Sequence, residues 1–162
     1  MYSVDERDGV IELHDVPQSS VGAPAPVILS DERKLLLGYI IQDRDSSFSR
    51  AEHFALIEFR GYWSYMFGAP NDEAIDGHPL ATRGLNPYGS FEVQDSSWIR
   101  QVERMNSVHP NHDPKRFDRY KHYVFAFHDS TFECIAEEFT ISEHHGSFGS
   151  LITIMQHRLL TE

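Results

Sequence analysis

The side chains best suited to chemistry lie within the most apolar part of the chain, residues 121–142. His128, Asp129 and Glu133 fall within six positions of one another in this segment. A histidine exchanges protons near neutral pH, and a neighbouring carboxylate favours its charged form. A His128 side chain held by Glu133 could therefore act as a general base or as a ligand-binding group.

The pattern of the same segment predicts two strands joined by a turn at residues 128–131, where the turn-forming residues cluster. If Asp129 and Ser130 form a two-residue turn, His128 pairs with Thr131. Strand alternation then puts His128 and Glu133 on one face as diagonal neighbours. The alternative is that His128 is an ordinary residue at a strand end and that Asp129 only forms the turn, since turns commonly recruit Asp for backbone bonding.

A further histidine comes from the longest stretch without clear periodicity, residues 68–89. Four glycines and three prolines in these 22 residues predict a loop, and a loop of this length is usually functional or mobile. Loop residue His78 could close over a pocket at His128 and Glu133, although ordinary turn chemistry explains the same composition. The candidate ligand-binding residues are thus His78, His128, Glu133 and Asp129, and the hypothesis requires His78 to approach His128.

Known cofactor and metal motifs are missing from the sequence. The ten histidines include no HExxH, and the chain has neither a cysteine pair nor an Asp-rich calcium loop, so we expect no metal site. Neither GxGxxG, GxxxxGK[ST] nor GxSxG occurs, and no cofactor is expected. The single cysteine, Cys134, lies in an apolar strand pattern and is interpreted as a buried small hydrophobic residue.

The charge of the chain restricts its partners. Fourteen basic and twenty-five acidic residues give a formal net charge of −11, which disfavours nucleic acid and anionic membranes and favours cationic partners. No window approaches the ~20 apolar residues that cross a bilayer, and the first residues lack the basic and apolar regions of a signal peptide. We therefore expect a cytoplasmic protein.

Length and element order predict one domain over residues 1–162, with residues 1–26 partly an irregular N-terminal arm. Regular βαβ alternation is absent, which predicts an α+β fold. We expect a curved, mainly antiparallel sheet with two to three helices packed on one face.

Turn signals and apolar patterns place the strands that precede the central hairpin. They predict an edge strand at residues 10–13, a hairpin of residues 27–29 and 35–41, a surface loop at residues 43–47, and a short strand at residues 90–93. Residues 53–67 are interpreted as a strand that bends at Arg60 and Gly61.

Capping residues and apolar spacing predict three helices. The first begins at residues 95–97, ends near Asn106, and has an apolar face of Trp98, Ile99, Val102 and Met105. Asp113 and Pro114 begin the second. A break at residues 143–146 precedes the third, for which Ser147 or Ser150 is the cap; a strand at residues 151–155 is the alternative.

Three strings of the sequence, FGAPNDEAIDGHPL, SSWIRQVERMNSVHP and FAFHDSTFECIAEEF, resemble a type of small soluble bacterial protein with no named activity. The resemblance spans roughly residues 53–141. It implies that the three strings belong to one domain and assigns no catalytic residue.

Two functions from different classes follow from these patterns. The first is an acidic binding or regulatory domain that docks a basic protein partner. The alternative is a small-ligand binder or enzyme that uses a pocket at His128 and Glu133, closed by the loop around His78.

Overall fold

Two antiparallel sheets form the framework of the protein. The computed structural model describes residues 2–42 and 51–161; the loop predicted at residues 43–47 lies outside them. The strands are β1 Gly9–Glu12, β2 Val27–Ser30, β3 Leu35–Ile40, β4 Glu52–Arg60, β5 Ser64–Gly68, β6 Ser90–Gln94, β7 Lys121–Ala126, β8 Thr131–Ala136 and β9 Glu138–Gly146. One sheet has the order β1-β6-β7-β8-β5 and the other β2-β3-β4-β9.

Helices cover the outer faces of both sheets. They are α1 Ser97–Asn106, α2 Phe148–Leu160 and three 3₁₀ helices, Asp72–Gly77, Ala81–Arg83 and Pro114–Arg119. The predicted α+β class with antiparallel strands is confirmed. In place of one curved sheet with the helices on one face, the strands divide between two sheets, and α2 packs on the sheet opposite to the one that α1 covers.

Aromatic and aliphatic side chains fill the space between the sheets. Phe59 of β4 lies at the centre of this layer, with its ring centroid 5.9 Å from that of Phe125 and 5.5 Å from that of Phe132. Alternation along β7 and β8 sends Phe125, Phe132 and Cys134 into this layer and the residues between them to the opposite face. The expectation that Cys134 is buried is confirmed.

The chain crosses between the sheets at Gly61 and at Glu137. Gly61 has a φ of +57°, and a Cβ atom at this position would lie 2.5 Å from Oε1 of Glu137. The backbone N–H of Glu137 donates to the carbonyl oxygen of Arg60 at 3.0 Å, which joins the two crossings. The bend predicted at Arg60 and Gly61 is therefore the point where the chain leaves one sheet for the other.

Two predictions about the chain after β8 are wrong. The second arm of the hairpin is not one strand, because β8 ends at Ala136 and β9 begins at Glu138 in the other sheet. The break predicted at residues 143–146 is also wrong, since β9 continues to Gly146 and pairs with β4 along its whole length.

The predicted caps place the helices correctly. Ser96 accepts a hydrogen bond from the N–H of Ile99, and Ser147 accepts one from the N–H of Ser150, so α2 is a helix and the strand alternative is wrong. Asp113 caps the segment that begins at Pro114, which is a 3₁₀ helix. Met105, expected on the buried face of α1, is 66% exposed.

The described residues include no helix that is long and apolar enough to cross a membrane.

The layer between the sheets gives the first testable prediction. Phe125→Ala should lower the free energy of unfolding by about 3 to 5 kcal/mol, because the side chain is 1% exposed and the void that it leaves is enclosed by packed rings. Met105→Ala is the control, with an expected change within about 0.5 kcal/mol. Urea denaturation measures both, and a loss below 1 kcal/mol for Phe125→Ala would contradict this description of the core.

Candidate functional site

A buried carboxylate, Glu133, lies where three separate segments of the chain meet. Its Oε1 atom is 3.0 Å from Nε2 of His78, and its Oε2 atom is 2.9 Å from Nε2 of His122. The hydroxyl of Tyr2 donates to Oε2 at 2.6 Å. The four side chains lie on the face of the five-stranded sheet that α1 and the 3₁₀ helices cover, so Glu133 joins the N-terminal arm, the long loop and strand β7.

The turn of the central hairpin explains why the partner from β7 is His122. Ala126 pairs with Thr131, and the N–H of Phe127 donates to the carbonyl oxygen of Ser130 at 2.8 Å. The turn therefore occupies residues 127–130, one residue earlier than predicted, and the expected pairing of His128 with Thr131 is wrong. The earlier turn moves the strand pairing by two residues, so the same side chains share each face, but Glu133 pairs with Val124 in place of Ala126.

Strand pairing places His122 diagonally to Glu133. Val124 pairs with Glu133 and His122 pairs with Ile135, so the two side chains are diagonal neighbours on one face. The diagonal contact that the sequence assigns to His128 thus belongs to His122. His128 lies in the turn.

Hydrogen bonds indicate that both histidines that bind Glu133 present an N–H to it. The N–H of Leu80 donates to Nδ1 of His78 at 3.1 Å, which leaves the proton of that ring on Nε2, toward the carboxylate. Ser96 accepts from the N–H of Ile99, and its Oγ atom lies 2.9 Å from Nδ1 of His122. Because an ionised carboxylate only accepts, Nε2 of His122 carries a proton whichever of these two atoms donates. Nε2 of His78 and Nε2 of His122 therefore both donate to Glu133, together with the Tyr2 hydroxyl.

This arrangement keeps Glu133 ionised. Burial opposes ionisation and raises the pKa of Glu133, but the hydrogen bonds from His122 and His78, the charge interaction with His122 and the hydrogen bond from Tyr2 outweigh it and lower the pKa to about 2. Burial and the Glu133 charge raise the pKa of Tyr2 above its usual range, so this phenol stays protonated and remains a donor.

A second cluster of polar side chains, Asp72 and Tyr88, surrounds His128; we call these three residues the His128 group. The Nδ1 atom of His128 lies 3.0 Å from Oδ2 of Asp72 and 2.9 Å from the hydroxyl of Tyr88, and this hydroxyl also donates to Asp72. The N–H of Asp72 donates to the carbonyl oxygen of His128 at 3.0 Å. The hydrogen bond from Tyr88 and then that of His128 hold the pKa of Asp72 below its usual range. A carboxylate at Nδ1 orients an imidazole for proton transfer at Nε2.

The predicted site residues fall into these two groups. His78 and Glu133 are in direct contact, but the Glu133 side chain is only 8% exposed. His128 is 38% exposed and belongs to the group with Asp72. Asp129 is 84% exposed at the tip of the turn, with its Oδ1 atom 3.9 Å from Nε2 of His128. Among the described residues, no hydrogen bond or ion pair joins His78 to His128.

Sequence reasoning missed four residues of these groups: Tyr2, His122, Asp72 and Tyr88. Only His122 carried a local signal, because strand alternation puts it on the face of Glu133 and correct placement of the turn makes it the diagonal neighbour. The other three come from segments without periodicity and reach their partners through tertiary contacts alone.

A cleft of about 610 Å³ lies at the start of β4, away from both groups. We call it the acidic cleft. Its lining residues are Glu12, Leu13, His14, Asp15, Val16, Pro17, Gln18, Ile41, Gln42, His53 and Glu143. Three of these side chains are carboxylates, and none of the described lining residues is Lys or Arg. Nε2 of His53 is 2.8 Å from Oε2 of Glu143.

Backbone and side-chain hydrogen bonds hold the walls of the acidic cleft. The N–H of Gln42 donates to the carbonyl oxygen of Gln18 at 2.8 Å, and that of Ile41 donates to His53 at 2.9 Å. The hydroxyl of Tyr39 donates to the carbonyl oxygen of Pro17 at 2.8 Å. The arm that carries the carboxylates is thus fixed to β3.

Within the described parts of the chain, no three or more His, Cys, Asp or Glu side chains are arranged to hold a metal ion. Comparisons with protein-family models, with curated proteins and with solved structures find no significant match. The resemblance to small bacterial proteins therefore stays a prediction, and function is argued from the geometry of the chain itself.

The Glu133 contacts predict a dependence of stability on pH. The pKa in the folded state, about 2, is below the ordinary 4.5, so the stabilisation is complete above pH 4.5 and is lost as the pH falls toward 2. This pKa difference corresponds to roughly 3 kcal/mol. Glu133→Gln should therefore be less stable than the wild type at pH 7, and the gap in unfolding free energy should shrink below pH 4.5.

Urea denaturation from pH 7 to pH 2 measures this gap. Glu73→Gln is the matched control, because the Glu73 side chain is exposed and its variant should stay close to the wild type throughout. A gap for Glu133→Gln that is constant over the whole pH range would show that Glu133 does not change its ionisation state with these contacts.

Proposed function

We propose that the protein is a non-enzymatic binding domain that docks a basic segment of a protein partner in the acidic cleft. The observation that carries the proposal is the lining of this cleft, which places Glu12, Asp15 and Glu143 around one opening with no Lys or Arg among the described lining residues. A cytoplasmic location, expected from the N-terminal sequence, belongs to the same proposal.

The exposure of the three carboxylates supports binding of a cation. Glu12 and Asp15 are exposed, and half of the Glu143 side chain is accessible. His53 contacts one oxygen of Glu143, which leaves the other oxygen as an acceptor for an incoming ammonium or guanidinium group.

Apolar lining residues support a long basic side chain over a small inorganic cation. Leu13, Val16, Pro17 and Ile41 form part of the wall. The methylene stems of Lys and Arg pack on such surfaces while their charged ends reach polar groups. The volume of the cleft, about 610 Å³, lies within the range of ligand sites in proteins.

The charge of the whole chain would assist the encounter. A net charge of −11 attracts a cationic segment over long distances and raises the rate of association at low ionic strength. This long-range attraction has no preference for one position on the surface. The three carboxylates of the acidic cleft would supply that preference through direct contacts with the cationic segment.

A pair of matched double variants tests the proposal. A fluorescent peptide of alternating Arg and Gly residues should bind the wild type in an anisotropy titration at low salt. Asp15→Asn combined with Glu143→Gln should weaken binding about tenfold, on the order of 0.7 kcal/mol for each lost charge pair. The control, Glu32→Gln combined with Glu73→Gln, removes the same charge from exposed positions outside the cleft.

The control should bind within about twofold of the wild type. Equal weakening by both double variants would mean that the peptide responds to net charge and that the acidic cleft is not its site. An acidic peptide of the same length should not bind to any of the proteins.

The His128 group supports a second candidate function, binding of a small ligand or general-base chemistry. The specific observation is the Asp72 carboxylate at Nδ1 of a histidine whose ring is 38% exposed. In this candidate function His128 keeps the role that the sequence predicts, but its carboxylate partner is Asp72 and not Glu133.

His128→Ala tests the second candidate. It should lower the free energy of unfolding by less than about 1 kcal/mol, as expected for a half-exposed side chain. In a thermal-shift screen of metabolites, a ligand at 100 times its dissociation constant stabilises the wild type by about 2.7 kcal/mol. His128→Ala should abolish that shift; an unchanged shift in the variant would place the ligand elsewhere.

A further inference from the structure

A second cleft combines aromatic rings with arginine side chains. It has a volume of about 190 Å³ and lies between the crossing after β4 and the 3₁₀ helix Pro114–Arg119. We call it the arginine cleft. Its lining includes Trp63, His109, Arg116, Phe117, Arg119 and Tyr120.

The arginine cleft lies in a region whose net charge is positive, whereas that of the whole chain is negative. Residues 98–121 contain six Lys and Arg and three Asp and Glu, which leaves eight basic and twenty-two acidic residues in the rest of the sequence. His53 of the acidic cleft and Arg60 stand seven residues apart on β4, about 24 Å at the usual rise of a strand. Trp63 follows Arg60 closely, so the two clefts lie toward opposite ends of this strand.

Trp63 forms a fixed aromatic wall of the cleft. Its backbone N–H donates to the carbonyl oxygen of Ile135 at 2.7 Å, which fixes the backbone at this position. Its ring centroid is 5.1 Å from that of Phe117 and 5.6 Å from that of Tyr120. The side chain is nevertheless 42% exposed, which leaves ring surface on which a planar group could stack.

The two guanidinium groups differ in their contacts. Arg119 is held in place by Glu137, 3.3 Å from its Nε atom, and by the hydroxyl of Tyr120, to which it donates at 3.2 Å. Arg116 is exposed and makes no side-chain hydrogen bond or ion pair within the described parts of the chain. Asp113 also lines the cleft, but its Oδ1 atom accepts from the N–H of Lys115 as a helix cap.

We propose that the arginine cleft binds a phosphate monoester of a planar aromatic group, with the phosphate at Arg116 and Arg119 and the ring on Trp63. Arginine presents several donors in a fixed plane that matches phosphate oxygens. An aromatic wall beside the two arginines selects an aryl phosphate over inorganic phosphate. This site is independent of the acidic cleft and of the function proposed for it.

Indole signals in an NMR titration test the proposal on the intact chain. The protein has two tryptophans, half-exposed Trp63 and buried Trp98, and their indole N–H signals are separate probes. Phenyl phosphate should shift the Trp63 signal and leave that of Trp98 in place. Assignment comes from Trp63→Phe, and the Trp98 signal reports that each variant is folded.

Charge-matched variants locate the phosphate. Arg116→Gln and Arg119→Gln should each weaken phenyl phosphate binding at least fivefold. Arg33→Gln, an exposed position in the turn between β2 and β3, removes the same charge and should stay within twofold. Trp63→Leu should weaken the binding of phenyl phosphate more than that of inorganic phosphate. In this variant the Arg116 side-chain signals replace the Trp63 signal as the measure of binding.

Two results would overturn the proposal: no shift of the Trp63 signal at 10 mM phenyl phosphate, or equal weakening by Arg33→Gln. Two further ligands distinguish the source of the aryl phosphate. A phosphotyrosine peptide that binds more tightly than phenyl phosphate would indicate a modified protein side chain. Weaker binding of the peptide would indicate a free small molecule, and the unphosphorylated peptide should not bind.

Discussion

The ionised carboxylate of Glu133 is the constraint on which the arrangement of one whole face depends. A carboxylate in an apolar interior costs several kcal/mol unless donors surround it. Here the donors are Tyr2 from the N-terminal arm, His78 from the long loop and His122 from β7. Loss of any one of these segments would remove a donor from the buried charge, so the arm and the loop are tied to the sheet although neither has a periodic pattern of its own.

The same contacts separate structural polar residues from those available to partners. Glu133 and its three partners lie in a closed layer beneath α1, where Tyr2 stacks on Trp98 with ring centroids 5.4 Å apart. Accessible carboxylates line the acidic cleft at the start of β4, and arginines line the arginine cleft beyond its end. A chain with a net charge of −11 thus has surfaces of both signs, and its net charge alone does not describe its partners.

Local signals predicted much of the fold, and failures arose where pairing was non-local. The caps at Ser96, Asp113 and Ser147 needed only neighbouring residues. The crossing at Glu137 had no local signal, because apolar residues continue on both sides of it and the change of sheet depends on partners far away in sequence. The turn lies at residues 127–130, one residue earlier than predicted, which moves the strand pairing by two residues. Each face keeps its side chains, but the diagonal neighbour of Glu133 becomes His122 and not His128.

The contacts of Glu133 disfavour ligand binding at the pocket predicted from His128 and Glu133, and they favour the surface clefts. A carboxylate that binds a ligand needs acceptor positions that are free or held only by water. Both oxygens of Glu133 accept hydrogen bonds from protein side chains, and three of its roughly four acceptor positions are occupied. The remaining acceptor position belongs to a side chain that is only 8% exposed, and a ligand that displaced His78 or Tyr2 would leave a buried polar group without its partner. Glu143, exposed and bound on one oxygen by His53, carries no such cost.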